Sequence, residues 1–120
     1  MRYTVPGYTV EHYCNDRGED VIGAWFQSLR DRRAAARIIA RIERLAVGLF
    51  GDCKLLRDGI WEMRIDEGPG YRVYYARTGK VIMLLLCGGD KSSQQKDIEH
   101  AKRNLKDYQS REIESRKTRK

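Results

Sequence analysis

Tyr71-Arg72-Val73-Tyr74-Tyr75-Ala76-Arg77-Thr78-Gly79-Lys80-Val81-Ile82-Met83-Leu84-Leu85-Leu86-Cys87 is the stretch on which the fold turns. Its first part alternates, with Arg72 and Tyr74 on one face and Tyr71, Val73 and Tyr75 on the other, the period-two pattern of a strand. Thr78-Gly79-Lys80 reverses the chain. The apolar run 81–87 has no alternation, so it predicts an interior strand covered on both faces. Working backwards, Asp66-Glu67-Gly68-Pro69-Gly70 is a turn. Residues 60–65 alternate, with Trp61, Met63 and Ile65 opposite Ile60, Glu62 and Arg64. Asp58-Gly59 is a hairpin signal, and 53–57 is one more candidate strand. Working forwards, Gly88-Gly89-Asp90-Lys91-Ser92-Ser93 reads as a polar loop. Residues 94–108 read as a polar helix with Ile98, Ala101 and Leu105 as its apolar row, and 109–120 as a basic, disordered tail.

Upstream of the strands, residues 8–13 alternate as a half-exposed strand and Asn15-Asp16-Arg17-Gly18 ends it. Val21, Ile22, Trp25, Phe26 and Leu29 recur at helical spacing, with Asp16 or Asp20 as the cap. Arg30-Asp31-Arg32 separates this helix from a stronger one, whose apolar face is Ala35, Ile38, Ile39, Ile42, Leu45 and Ala46 and which Gly48 closes. Arg33, Arg37, Arg41 and Arg44 form a basic stripe roughly opposite that face. The order predicts an α+β domain: an N-terminal strand, two helices packed on one face of a small, mostly antiparallel sheet, and a C-terminal helix. Residues 1–108 form that single domain.

With 120 residues, 41% hydrophobic and 34% charged, the chain has enough material for one core. The longest apolar run is the seven residues 81–87, against about 20 for a membrane-spanning helix. Residues 1–6 carry no apolar leader, so a cytoplasmic protein is expected. Cys14, Cys53 and Cys87 are odd in number and widely spaced, and His12 and His100 have no ligand-spaced partners; neither a disulfide framework nor a metal site is encoded. The formal charge of +7 is concentrated at the end, with eight Lys/Arg against three Asp/Glu in residues 101–120. Net charge alone therefore does not argue for a nucleic-acid partner.

Common hydrolase and phosphate-loop signatures are absent: there is no G-x-S-x-G, and Gly68-Pro69-Gly70 joins strand to strand rather than strand to helix. What remains is a set of cations and one tyrosine on the strands and their connections: Lys54, Arg57, Arg64, Arg72, Tyr74 and Lys91. Charge on an outer sheet face serves solubility. Yet Arg64 and Arg72 fall on equivalent faces of neighbouring strands, with Lys91 at the end of the interior one. Such a patch suits a phosphodiester, because arginine forks hold phosphate oxygens bidentately.

Five motifs extend this reading: Arg32-Arg33-Ala34-Ala35-Ala36-Arg37-Ile38, Phe50-Gly51-Asp52, Glu62-Met63-Arg64-Ile65, Gly68-Pro69-Gly70-Tyr71-Arg72-Val73-Tyr74-Tyr75 and Leu84-Leu85-Leu86-Cys87-Gly88-Gly89-Asp90-Lys91-Ser92-Ser93-Gln94. In this order, over about residues 8–107, they resemble the RelE/ParE superfamily of bacterial toxins in its HigB-like, phage-derived addiction module killer branch. The resemblance implies a RelE-like fold and a ribosome-dependent mRNA endonuclease that works without a metal or other cofactor, by attack of the ribose 2′-OH on the adjacent phosphate. By the same resemblance Arg72 stabilises the pentavalent phosphate, Arg64 is a second phosphate-binding arginine and Lys91 is the basic residue after the last strand. Lys54, Arg57 and Tyr74 are expected to contact RNA. Cys87 stands where several HigB-type members place a histidine, which removes one candidate proton carrier.

Two other functions fit the same residues. A ParE-like toxin would poison DNA gyrase by binding, and a non-catalytic ribosome-binding module would use the arginine stripe and the basic tail for sequence-independent attraction. Clustered phosphate ligands at Arg64, Arg72 and Lys91 favour the nuclease. The expected partners are the ribosome, mRNA and a cognate antitoxin with a helix-turn-helix domain in a hetero-oligomeric complex. Arg33, Arg37 and Arg41 are the expected antitoxin contacts.

Overall fold

The computed structural model describes residues 7–79 and 82–118; residues 1–6, on which the expectation about a leader rests, Lys80 of the turn, Val81 of the apolar run and residues 119–120 of the tail lie outside the described residues. The elements are β1 (Thr9–His12), α1 (Val21–Ser28), α2 (Arg32–Ala46), β2 (Cys53–Leu55), β3 (Trp61–Ile65), β4 (Tyr71–Thr78), β5 (Ile82–Asp90), a single 3₁₀ turn (Lys91–Ser93) and α3 (Gln94–Thr118). The strands form one sheet in the order β1-β5-β4-β3-β2, antiparallel except for the parallel β1–β5 pair at one edge. This is the α+β, RelE-like arrangement that the sequence predicts.

Local chemistry sets the helix ends. Asp20 caps α1 by accepting from the Gly23 amide at 2.9 Å, and Asp31 caps α2 by accepting from the Ala34 amide at 3.1 Å; each such cap contributes about 1 kcal/mol. The end of α2 is a Schellman motif: Leu49 N–H donates to Arg44 O at 2.9 Å and Gly48 N–H to Leu45 O at 3.1 Å, with Gly48 at φ +85°. Asp58 (φ 58°) and Gly59 (φ 78°) both take positive φ, the geometry of a type I′ turn, between β2 and β3.

The alternation read from the strands divides two cores. Ile22 of α1 and Ala34, Ile38 and Leu45 of α2 pack on Met63, Ile65, Tyr71, Val73, Tyr75, Met83 and Leu85. On the other face Ala101 and Leu105 of α3 pack on Ile60, Tyr74, Ala76, Leu84, Leu86 and Cys87. The expected pair of helices thus covers one face and α3 covers the other. β5 holds both cores by a bulge: Tyr74 pairs with Cys87 but Tyr75 with Leu85, so Leu86 is the extra residue and Leu86 and Cys87 both face α3.

Four details depart from the sequence reading. β5 runs on through Gly88, Gly89 and Asp90, which pair with Val73, Arg72 and Tyr71 instead of forming a loop. A Cβ on Gly88 would lie 2.4 Å from the Trp25 ring, so glycine here admits α1 against the strand. α3 continues to Thr118 rather than ending near Tyr108. Arg111 holds those extra turns, bonding Asp107 at 2.7 Å one turn back, donating to the Cys14 carbonyl and lying 5.5 Å over the Tyr13 ring. Ile39, expected in the apolar face of α2, is 48% exposed. Finally, β2 ends at Leu55, which leaves Arg57 in the turn. Among the described residues no helix is long and apolar enough to cross a membrane.

Candidate active site

The hairpin of β3 and β4 sets Arg64 directly opposite Arg72, and Arg72 in turn opposite Gly89 of β5. Beyond β5 the 3₁₀ turn begins at Lys91, whose amide donates to Gly70 O at 3.0 Å. Gly70 has φ +86°, and a Cβ there would meet Arg72 Nη1 at 3.7 Å and Lys91 Cβ at 3.8 Å, so the turn, the arginine and the lysine lie side by side. The result is a cleft of about 400 Å³ lined by Arg64, Arg72, Lys91, Asp52, Asp66 and the 68–70 turn. The three residues expected to do the chemistry, distant in sequence, share it. Asp90 fixes the start of the 3₁₀ turn by accepting from Ser92 N at 2.8 Å, and those Ser92 bonds hold its carboxyl below the usual range.

Beneath the cleft lies a buried polar layer that the sequence reading missed. Glu62 is 2% exposed; its Oε1 is 3.8 Å from Arg72 Nε, and its Oε2 accepts from Gln94 Nε2 at 2.7 Å. Asp97, also buried, accepts from Ser93 Oγ at 2.5 Å. Asp97 fits only because position 89 is glycine, where a Cβ would lie 1.9 Å from Asp97 Oδ2. The signal for Glu62 was its alternation with Arg64, which puts it on the face that carries Arg72. Arg72 has only 13% of its side chain exposed and also donates from Nη1 to Tyr71 O at 3.3 Å. Arg64 pairs with Asp52 at 3.1 Å. The Nε donors of both arginines are buried without an acceptor, a penalty that rotation of either guanidinium onto an anion relieves.

Tyr74 takes another place than the one expected. Tyr74 has no exposed surface, so direct contact with RNA is closed to it here; burial and the nearby Glu62 carboxylate push its phenol well above the ordinary value. Cys87 donates to Asp97 O at 3.3 Å, and burial pushes its thiol up to about 12, so it stays protonated at neutral pH. Lys54 and Arg57 do not line the cleft. They line a second groove, of about 520 Å³, between the β2–β3 connection and α3, together with Lys102 and Glu99.

The α2 stripe is divided. Arg33, Arg37 and Arg44 are exposed, Arg37 pairing with Glu67 at 3.6 Å. Arg41 is not a free surface cation: its Nη1 donates to Arg64 O at 2.7 Å and its Nη2 to Asp52 O at 3.3 Å and Phe50 O at 3.4 Å. Among the described residues no group of three or more His, Cys, Asp or Glu side chains converges as metal ligands.

Residues 24–106, which include Arg64, Arg72 and Lys91, match the family model of the phage-derived protein Gp49-like group (DUF891). A relative from Haemophilus influenzae (strain ATCC 51907 / DSM 11121 / KW20 / Rd), described as an uncharacterized protein, is 57% identical over 79 residues, 66% of this chain and 80% of the relative. The chain belongs to the Gp49-like family of phage-derived proteins, a family associated with addiction-module killer toxins of the HigB/RelE-like kind.

Proposed function

We propose that this chain is the toxin of a type II toxin–antitoxin system and that it inhibits translation by cutting mRNA on the ribosome. The observation that carries the reading is the convergence of Arg64, Arg72 and Lys91 on one cleft. Cleavage needs the ribose 2′-oxygen to attack the adjacent phosphorus and the bond to the 5′-oxygen to break, which leaves a 2′,3′-cyclic phosphate and a 5′-hydroxyl. Negative charge builds on the phosphoryl oxygens, and two guanidinium forks with an ammonium beside them stabilise it. The Glu62 carboxylate holds the Arg72 fork in place before the substrate arrives, which is the positioning such a reaction requires. Lys91, Asp52 and Asp66 are the titratable groups around the cleft, available to move the two protons.

A gyrase poison acting by binding alone has no use for such a cleft, and this favours the nuclease. The proposal includes a cytoplasmic site of action and a cognate antitoxin with a helix-turn-helix domain that holds the toxin inactive in a hetero-oligomer. The test is purified chain added to a message with and without ribosomes. New RNA ends only on the translated message are expected; intact message in both tubes contradicts the reading.

A further inference from the structure

Arg37, Arg41 and Arg44 of α2 line a trough of about 440 Å³ whose other wall is Arg64, Asp52 and Asp66. Those last three also line the candidate active site, so the trough and the cleft share a wall. Four arginines face two aspartates, a net positive surface in which the one apolar side chain is Ala40. Arg41 is fastened at the threshold by its three backbone acceptors and lies against Gly51, where a Cβ would come within 3.1 Å of Nη2. Arg37 and Arg44 are exposed on either side of it, about 10 Å apart along the helix at 1.5 Å per residue. The Arg37–Glu67 pair is exposed enough on the arginine side to give way to a stronger anion.

This composition decides the kind of occupant. The centre of a protein–protein interface is apolar and depleted in charge, whereas grooves that track a nucleic-acid backbone are rows of cations. A strand whose scissile phosphate lies against Arg72 and Lys91 runs past Arg64 directly into the trough.

We propose that the α2 trough is a phosphate-binding extension of the cleft, in which Arg37 and Arg44 hold the backbone of single-stranded RNA next to the scissile nucleotide. The proposal rests on the reading of the cleft as an RNA site, and it moves Arg37 from antitoxin contact to substrate contact. It makes the stripe a second segment of one binding surface.

The probes are 2′-O-methyl oligoribonucleotides, which the chain cannot cut, a trinucleotide and a dodecanucleotide, titrated over a range of salt against the full chain. The native chain is expected to bind the longer probe about tenfold more tightly at low salt. The double variant Arg37→Ala, Arg44→Ala should lose most of that advantage and lower the slope of log affinity against log salt by about 1.4, roughly 0.7 per lost phosphate contact on a single strand, while its trinucleotide affinity stays unchanged. Alanine is a good helix former, so α2 tolerates both changes. An unchanged length advantage in the double variant overturns the proposal, and so does loss of antitoxin capture with unchanged oligonucleotide binding, which gives the trough to the protein partner. Failure of the cleft reading is distinguishable: Arg72→Ala would then leave the trinucleotide affinity unaltered. Absence of binding to either probe by the native chain contradicts both.

Discussion

Glu62 and Arg72 sit diagonally across neighbouring strands with Oε1 and Nε 3.8 Å apart, the carboxylate 2% exposed and the guanidinium nearly enclosed. A buried ion pair is weak evidence for stability, but removing one member leaves an uncompensated buried charge, at about 3 kcal/mol or more. Glu62→Ala is therefore expected to lower stability by about that amount in a urea titration, and Glu62→Gln, which keeps an acceptor for Gln94, by less. Both should also reduce RNA cleavage, because Arg72 loses its positioning partner. A Glu62→Gln chain of native stability and full activity contradicts the positioning role.

Arg72→Ala should keep the β4 packing that Tyr71 and Val73 supply on the opposite face, while lowering stability by about 3 kcal/mol because the buried Glu62 carboxylate loses its partner. Removing a preorganised charge from a phosphoryl transition state costs about 3 kcal/mol, roughly a hundredfold in rate. Arg72→Lys should rescue poorly, because a point charge does not replace the fork. The check is a single-turnover assay paired with circular dichroism.

Gly89→Ala should destabilise the protein by about 1–3 kcal/mol, because its Cβ would collide with Asp97 at 1.9 Å and overpack the junction of β5 and α3. For a domain of this size the melting temperature falls by about 3–6 °C per kcal/mol. Gly79→Ala, where a Cβ meets open space but φ is +61°, separates steric collision from backbone strain and should show a smaller loss.

Stability should be insensitive to pH below about 9 on the alkaline side and fall above it. Burial pushes the Cys87 thiol from 9.0 up to about 12, and burial followed by the Asp107 hydrogen bond pushes the Tyr13 phenol from 10.0 up to about 12; Tyr74 and Tyr75 are raised further, chiefly by burial. Below the unfolded values both states hold these protons. Between about 9 and 12 the unfolded chain releases protons that the folded chain keeps, so the folded state loses its advantage as pH rises. Tyrosinate absorbance should appear together with unfolding. At mildly alkaline pH a thiol reagent should modify exposed Cys14 first and leave Cys87 untouched until the chain unfolds.

Much of the architecture was legible because strand alternation is local. The split of Tyr71, Val73 and Tyr75 from Arg72 and Tyr74 follows from period two, and the lack of alternation in 81–87 signals the cover on both faces that Met83 to Cys87 have. The misses are non-local. Gly88-Gly89 has turn-forming composition, and nothing nearby announces that Trp25 and Asp97 approach the strand there. Helical spacing places Arg41 beside Arg37 on α2, but it does not show that the 50–52 segment folds back to receive its guanidinium. The helical state of residues 109–118 rests on Arg111 reaching Cys14, a contact across almost the whole chain. At the site, the cluster Arg64, Arg72 and Lys91 was readable from register and resemblance. Tyr74 was misplaced because the face it shares with Arg72 is open at one end and roofed by α3 at the other.

The central claim is that this cleft cuts translated RNA, and primer extension on a translated reporter message tests it most directly, in cells expressing either the native chain or Arg72→Ala without an antitoxin. The account predicts arrested growth and new 5′ ends within the reading frame for the native chain, and neither for the variant at equal protein level. Arrested growth with intact message and damaged DNA, or equal cleavage by the variant, would contradict it.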